Sequence, residues 1–431
     1  MTLGILAQYL ETRPDIAELI GRLSQQIPVV VFRNERDKAV LNLPTSVQFR
    51  TFRKRSSLKI KIWHVLFKAF GKVPRSKHNY FITEDFKIQN SSFFGNNLKT
   101  WWAQFLLFLN YKLPGFISYD AYIDAIQDSV EADLTGIDTF LCYTQIYDDG
   151  FFGKLVAARK KIYALVYSWD HPCKMKCFSK SEVKYLVWNE NILRDLFELQ
   201  GLNSDRIQKI GTSQFGYLHQ YLAEKDHKSF PPLPEKPYLY FAFATGTPSL
   251  ARQEIEVIQR MADMLAEVWP DVLLMVRPFP FLKSKGFYDA LVAHPQVRFE
   301  PEYEGGGSIQ DKMNHKYHFM NHSSGFFHFG TTLGVEACFL QAPVFFLSLK
   351  NEALEDGLYY FIHQYQNDAY LHREELPNTI ESYGELKEVL QILARQEPGK
   401  LMQYNQTVSA DFSCTSFQAY TEGLARALRQ A

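Results

Sequence analysis

Short, near-continuous apolar runs separated by longer amphipathic stretches dominate this chain. Runs of this kind, rich in β-branched and aromatic residues, predict strands buried on both faces, and the stretches between them predict helices. In the first half the predicted strands are Gly4–Ala7, Pro28–Phe32, Val47–Phe52, Thr139–Tyr143, Ile162–Tyr167, Tyr185–Trp188 and Arg206–Ile210. Helices are expected over Pro14–Gln25, through an interrupted region from Leu58 to Ala125, and over Lys154–Lys160 and Asn191–Leu199. A second series starts with strand Tyr238–Phe243 and helix Leu250–Val268. It continues through strands Val272–Val276 and Val297–Phe299, helix Ile309–Met320, strand Gly325–Phe327 and strand Val344–Leu347.

Alternation of this sort predicts α/β architecture, with mostly parallel sheets covered by helices on both faces. A chain of 431 residues is long for one core and suits two domains of about 200 residues. The proline-rich segment Lys225–Pro237, with Pro231, Pro232, Pro234 and Pro237, is the expected linker. It divides the chain into domains 1–228 and 238–431. A hydrophobic content of 46% with 22% charged residues describes a globular enzyme, and zero net charge argues against a general nucleic-acid binder. Five cysteines without a basic leader at Met1–Leu10 imply a reduced, cytoplasmic setting. The apolar stretch Trp101–Leu109 is about half the length that spans a bilayer.

The most informative run is His328-Phe-Gly330-Thr331-Thr332-Leu-Gly-Val-Glu336-Ala337, followed by Pro343. It reads as strand, small-residue turn, short helix. The turn brings a histidine, two hydroxyls and backbone N–H groups to a helix start, where a phosphate is favoured. Glu336, one helical turn beyond Thr332, is placed to accept hydrogen bonds from a ribose diol. An ordinary turn with His328 packed at a strand end is the competing reading. The run resembles the donor-binding signature of nucleotide-sugar glycosyltransferases of the GT-B fold, roughly His-x-Gly-x-x-Ser/Thr-x-x-Glu-Ala with a proline seven residues after the glutamate. His328, Gly330, Glu336, Ala337 and Pro343 match in place, whereas Leu333 stands where the hydroxyl is expected, leaving that role to Thr331 and Thr332. The resemblance implies two Rossmann-like domains facing each other across a cleft, acceptor in the first and donor in the second.

Two further loops are expected to meet the donor. Thr245-Gly246-Thr247 follows a strand, and its glycine would admit a phosphate, unless this is a plain turn with Ser249 capping the next helix. Arg277, in Arg277-Pro-Phe-Pro280, ends the next strand with a planar fork suited to a diphosphate, or else makes a surface ion pair. That segment is similar to the Arg-Pro-His-Pro of polyol-phosphate transferases, with Phe279 in place of the histidine. Ser168-Trp-Asp170-His171-Pro172 and Ile207–Phe215 are similar to segments of bacterial surface-carbohydrate (capsule and lipopolysaccharide) biosynthesis proteins of GT-B type, with His171 and Gly216 as departures.

Transfer to an acceptor hydroxyl needs a base, and Asp170, His171, Asp148 and Asp149 lie at or past strand ends of the first half. With no Asp-x-Asp motif, metal-independent catalysis is expected, with no prosthetic group, and the resemblance of the His328 box implies inversion while leaving a retained product open. From Lys38 to Thr83 there are 11 basic residues and no acidic one, and Ile60, Trp63, Leu66, Phe67 and Phe70 recur at helical spacing. Residues 50–77 therefore suit an anionic membrane surface, an anionic glycan, or a face packed on the core, and the Trp101-Trp102 helix shares that ambiguity. The expectation is a cytoplasmic or peripheral glycosyltransferase of surface polysaccharide synthesis, with a nucleotide sugar and a glycan or lipid-linked acceptor as partners. The alternatives are a polyol-phosphate transferase, a nucleotide-sugar 2-epimerase, or a non-catalytic glycan-binding protein.

Overall fold

The computed structural model describes residues 1–6, 13–36, 43–73, 85, 88, 97–144, 148–174, 177–225, 230, 232–279, 286, 288–303, 307–363, 370–395 and 399–429, with backbone alone at 171, 174, 356, 399 and 400. Ala7 of the first expected strand, Pro231 of the expected linker, Pro280, and the basic stretch at 38–42 and 74–83 lie outside them. The elements are β1 (Leu3–Leu6), α1 (Pro14–Ser24), β2 (Val29–Asn34), β3 (Val47–Lys54), α2 (Leu58–Phe70), α3 (Leu98–Lys112), α4 (Tyr119–Ala125) and β4 (Val130–Ala132). There follow β5 (Thr139–Tyr143), α5 (Asp149–Ala157), β6 (Lys161–Leu165), α6 (His171–Lys174), β7 (Val183–Val187), α7 (Glu190–Glu198), β8 (Ile207–Lys209) and α8 (Gly216–Glu224). Next are β9 (Tyr238–Ala242), α9 (Pro248–Val268), β10 (Leu273–Arg277), α10 (Asp289–Val292), β11 (Val297–Phe299), α11 (Ile309–Asn321), β12 (Phe326–His328), α12 (Thr332–Ala337) and β13 (Val344–Leu347). The chain ends with α13 (Asp356–His363), β14 (Thr379–Ile380), α14 (Tyr383–Ala394), α15 (Gln403–Ala410) and α16 (Phe417–Arg429).

Two compact units result, one from Met1–Asp85, Leu98–Gly216 and Ser413–Ala431, the other from Phe86–Asn97 and Tyr217–Phe412. Each is Rossmann-like. The first holds an 8-stranded sheet in the order β4-β3-β2-β1-β5-β6-β7-β8, parallel except for the short β4 against β3. The second holds a 6-stranded sheet in the order β11-β10-β9-β12-β13-β14, parallel throughout. Their central strands β1, β5 and β9 are buried at every position, which is why the sequence shows continuous apolar runs there rather than alternation.

Three expectations change. The division falls between Gly216 and Tyr217, ahead of the proline-rich segment, and α16 belongs to the first unit instead of the second. That helix carries Tyr420, Leu424, Ala425 and Leu428 on one face, and these join Leu19, Ile20 and Leu23 of α1 in one core. Burying the stripe against α1 removes several apolar side chains from water, at about 1.5–3 kcal/mol for each one fully buried. The helix expected at Lys154–Lys160 begins earlier, at Asp149, because the Asp148 side chain accepts the Phe151 N–H at 3.0 Å and caps it.

Leu424→Ala should cost the first unit about 2–5 kcal/mol through the lost contacts and the cavity left behind. Hydrogen exchange should then accelerate at β1 and β5 while β9 and β12 keep their protection; equal acceleration in both sheets would contradict the assignment of α16.

Candidate functional site

Three segments singled out in the sequence end neighbouring strands of the second unit. In the ladder, Ala242 of β9 lies opposite Arg277 of β10 on one side and His328 of β12 on the other. Strand order reverses at β9, since β10 lies on one side of it and β12 on the other. Open α/β sheets take their ligands beyond the carboxyl ends of strands at such a reversal. The Thr245–Thr247 loop, Arg277 and the His328–Glu336 segment therefore share one edge of one sheet.

The roles of individual groups differ from what the sequence suggests. The His328 ring is fully buried, and its Nδ1 accepts the N–H groups of Gly330 at 3.0 Å and Thr331 at 3.2 Å. A nitrogen accepting twice carries no proton, so the proton sits on Nε2, which finds no partner among the described residues. Burial pushes the His328 pKa down to about 3. The histidine thus shapes the turn from inside as a neutral ring. It dictates Gly334 as well, because a β-carbon there would stand 2.3 Å from the imidazole. Thr331 caps α12, its hydroxyl accepting the Gly334 N–H at 3.0 Å, and Thr332 opens the helix.

In the Thr245–Thr247 loop, the Thr245 hydroxyl accepts the Thr247 N–H at 3.0 Å. The N–H of Ala244 points to the carboxylate of Glu254 at 3.1 Å, and that of Thr245 also bonds this carboxylate. Glu254 is fully buried on the apolar stripe of α9; burial pushes its pKa well above the usual range, against the pull of these two N–H groups. Part of the backbone expected to meet a phosphate is therefore taken by a side chain from within. Gly246 is needed for a different reason: a β-carbon would come within 2.6 Å of the Phe279 ring. The cap of α9 is Thr247 with Pro248 at the first helical position, and the Ser249 hydroxyl is buried without a partner among the described residues.

Arg277 forms a close ion pair with Glu300, which also accepts the Tyr240 hydroxyl at 2.7 Å. Burial pulls the guanidinium's pKa down, but Tyr240 and Glu300 more than offset it, so the charge is held. Glu336 is buried and meets the Lys316 ammonium of α11 at 2.6 Å. Burial lowers the Lys316 pKa and Glu336 opposes that shift. Arg277 and Lys316 line a cavity of about 260 Å³ with Pro278, Glu300, Tyr303 and His315, whose pKa burial also lowers. The cavity combines ring and proline surfaces with two paired cations, and Lys316 stands at its wall in place of Glu336.

In the first unit, Asp148 caps α5 and pairs with Lys54 at 2.5 Å. Asp149 accepts the Tyr119 hydroxyl at 2.7 Å and a bond from Tyr122, whose hydroxyl also meets Nδ1 of the exposed His64 at 2.7 Å. Burial first, then Asp149 and Asp148, raises the Tyr122 pKa. Asp170 stands in the turn before α6, its carbonyl accepting the Cys173 N–H at 3.3 Å, and the side chain of His171 lies outside those described. Asp148–Asp149 and Asp170–His171 thus follow two adjacent strands, β5 and β6. Ser213, within the Ile207–Phe215 segment, donates to buried Asp15 at 2.9 Å, and Asp15 is clamped by Arg13 at 2.6 and 2.8 Å. Among the described residues, His372, Glu374 and Glu381 have ligand atoms within 4.8 Å of one another, but Lys350 already pairs with Glu374 at 3.0 Å.

Sequence reasoning missed Glu254, Glu300, Lys316, Tyr240 and His64. Glu254 left a readable trace, an acid on the apolar stripe with Ala251, Ile255 and Ile258. Glu300 and Lys316 left none, since their meaning comes from partners 23 and 20 residues away.

No family profile matches this chain, and no curated protein sequence does. Among solved structures it is similar to UDP-GlcNAc 2-epimerase from Neisseria meningitidis bound to UDP-GlcNAc, at 11% identity and a TM-score of 0.48 over 100% of both chains. It is similar to WaaG, a glycosyltransferase involved in lipopolysaccharide biosynthesis, at 12% identity and a TM-score of 0.45 over 100% of both chains. It is also similar to the wall teichoic acid polymerase TagF, at 10% identity and a TM-score of 0.48 over 100% of this chain and 89% of that one. The two Rossmann-like units rest on the strand orders above.

Because the folded pKa of His328 lies below the unfolded value of 6.5, the unfolded chain binds the proton first as pH falls. Its contribution is complete above about pH 6.5 and is lost toward about pH 3, by at most about 1.4 kcal/mol per unit. In urea unfolding, the stability gap between wild type and His328→Asn should narrow steadily across that window. A constant gap would show that His328 does not titrate this way.

Proposed function

We propose that this protein is a glycosyltransferase that binds a nucleotide-activated sugar at the β9–β12 edge of its second unit. The observation that carries the reading is the shared register of Ala242, Arg277 and His328, beside a cavity whose wall holds Arg277 and Lys316. Arg277 pairs with Glu300 and Lys316 with Glu336, so a diphosphate would bind by competing with these carboxylates for the two cations. The cations favour an anion over a neutral sugar, and the two carboxylates released must take up protons or water, which sets a cost on binding. The Phe279 ring, lying on Gly246 where polyol-phosphate transferases carry a histidine, disfavours phosphate transfer.

The acceptor is a glycan or a lipid-linked glycan of surface polysaccharide synthesis, bound by the first unit. For the proton acceptor the first unit offers Asp170, beyond β6, and His64, whose imidazole is oriented through Tyr122 by Asp149. Transfer would leave the sugar on the attacking oxygen, the acceptor's proton on one of these groups, and the nucleoside diphosphate free.

Thermal unfolding with UDP, GDP, CDP, TDP and CMP tests the donor site. One diphosphate at a hundred times its Kd should add about 2.7 kcal/mol of stability. Arg277→Ala should abolish that gain and Arg277→Lys should keep part of it; a gain unchanged in both variants, or absent with every nucleotide, sinks the proposal. Consumption of a UDP-sugar with no acceptor present would point to epimerisation instead.

With the donor identified, either Asp170→Asn or His64→Gln should lower kcat by about 10²–10⁴ while the nucleotide's stabilisation persists. If both retain full turnover, the base lies elsewhere.

A further inference from the structure

Helix α3 packs a mixed face on the protein and turns an aromatic face outward. Thr100, Leu106, Leu107 and Asn110 turn inward, the Asn110 amide donating to the Gly71 carbonyl at 3.0 Å, and the helix packs on α2. At 100° per residue, Leu98, Trp101, Trp102, Phe105 and Phe108 fall within roughly 120° on the other side. That second face lies in water: Leu98 is 80% exposed, Trp101 61% and Phe108 52%. Phe105 stacks on Trp101 with ring centres 6.0 Å apart and meets Trp102 at a tilt with centres 5.5 Å apart, so the face is a connected aromatic surface. Leu113 and Phe116, beyond the helix, and Leu58, Ile62 and Val65 on α2 are exposed as well.

The sequence left two surfaces open, the aromatic positions of α2 and the Trp101-Trp102 helix, and it is the second whose rings the fold exposes. On α2, Ile60 and Phe67 of the expected aromatic face are buried, with Phe67 stacked on Tyr122 at 4.1 Å, and Trp63, Leu66 and Phe70 are half-buried, so that face is largely packed. Isolated apolar residues on a surface need no explanation, but a connected aromatic patch on the face turned away from the core marks a surface that takes a partner.

Charge identifies the cover. Helices α2 and α3 carry Lys59, Lys61, Lys68, Lys99 and Lys112 and no carboxylate. Two copies meeting through this face would set five lysines against five, which repel. An anionic bilayer supplies both an apolar layer for the rings and negative headgroups for the ammonium groups, and tryptophan is favoured at that boundary. With 15 residues α3 is shorter than the roughly 20 needed to cross a bilayer, and no described helix is long and apolar enough to do so. The geometry is that of a helix lying in the plane of the interface.

We propose that the exposed aromatic face of α3, flanked by the lysines of α2 and α3, docks this protein onto an anionic lipid bilayer. The surface is separate from the nucleotide-sugar site and holds whether or not that reading does.

The test is co-sedimentation of the full chain with vesicles of phosphatidylcholine containing about one-third phosphatidylglycerol, against pure phosphatidylcholine. The protein should pellet with the anionic vesicles, with a blue shift of tryptophan emission, and raised salt should weaken the binding. Trp101→Ser/Phe105→Ser/Phe108→Ser, all at exposed positions, should lower partitioning by about tenfold or more. Lys99→Glu/Lys112→Glu should lower it on anionic vesicles while leaving the aromatic face intact. Circular dichroism and the thermal midpoint establish that both variants fold. Wild type remaining in the supernatant, or the triple-serine variant pelleting equally, overturns the proposal. So does a dimer in lipid-free solution that the triple-serine variant makes monomeric, because a second copy would then be the cover.

Discussion

Everything placed at the candidate site depends on the parallel register of β9. Because Ala242 lies opposite both Arg277 and His328, three loops leave the sheet at one level and on one edge. A slip of one residue in either neighbour would turn that strand's side chains to the other face and separate the groups. What holds the register is burial: Tyr238–Ala242 is inaccessible throughout, and stacked pairs such as Tyr240–Phe326, with ring centres 5.3 Å apart, cross between the strands.

The edge is tuned from inside. Glu254, Glu300 and Glu336 are all buried, and each engages a different element of the site: the loop at Ala244 and Thr245, Arg277 at the end of β10, and Lys316 of α11 respectively. Buried ion pairs of this kind contribute little net stability, because desolvation consumes most of their attraction. Their effect is on position, since Glu300 and Glu336 hold the Arg277 and Lys316 side chains at the cavity wall. His328 acts differently. Held neutral, it templates a tight turn that only glycine at 334 permits, so the most recognisable residue of the motif is the least accessible.

The first unit shows the same separation between packing and surface. Its core takes in α16 from the far end of the chain, while α3 presents rings that no described residue covers. An inward aromatic face on α2 and an outward one on α3 lie side by side, and only the outward one leaves apolar area for another phase.

By itself the sequence determined the kind of fold. Continuous apolar runs spaced by amphipathic stretches mean parallel strands and covering helices, and that information is local, written in short unbroken apolar runs and in a period of 3.6 residues. It also brought out Arg277, the Thr245–Thr247 loop and the His328–Glu336 run, because strand ends and small-residue turns are local signals too. It did not determine which sheet receives α16, since a stripe at helical spacing states that a helix is buried but not against what. Nor did it decide that His328 is a turn template, that Glu254 takes backbone N–H groups of the Thr245–Thr247 loop, or that Lys316 stands before Glu336. Those depend on distances between residues far apart along the chain, and only the tertiary structure sets them. The two tryptophans of α3 make the same point: their spacing is readable in the sequence, but which face the fold leaves in water is not.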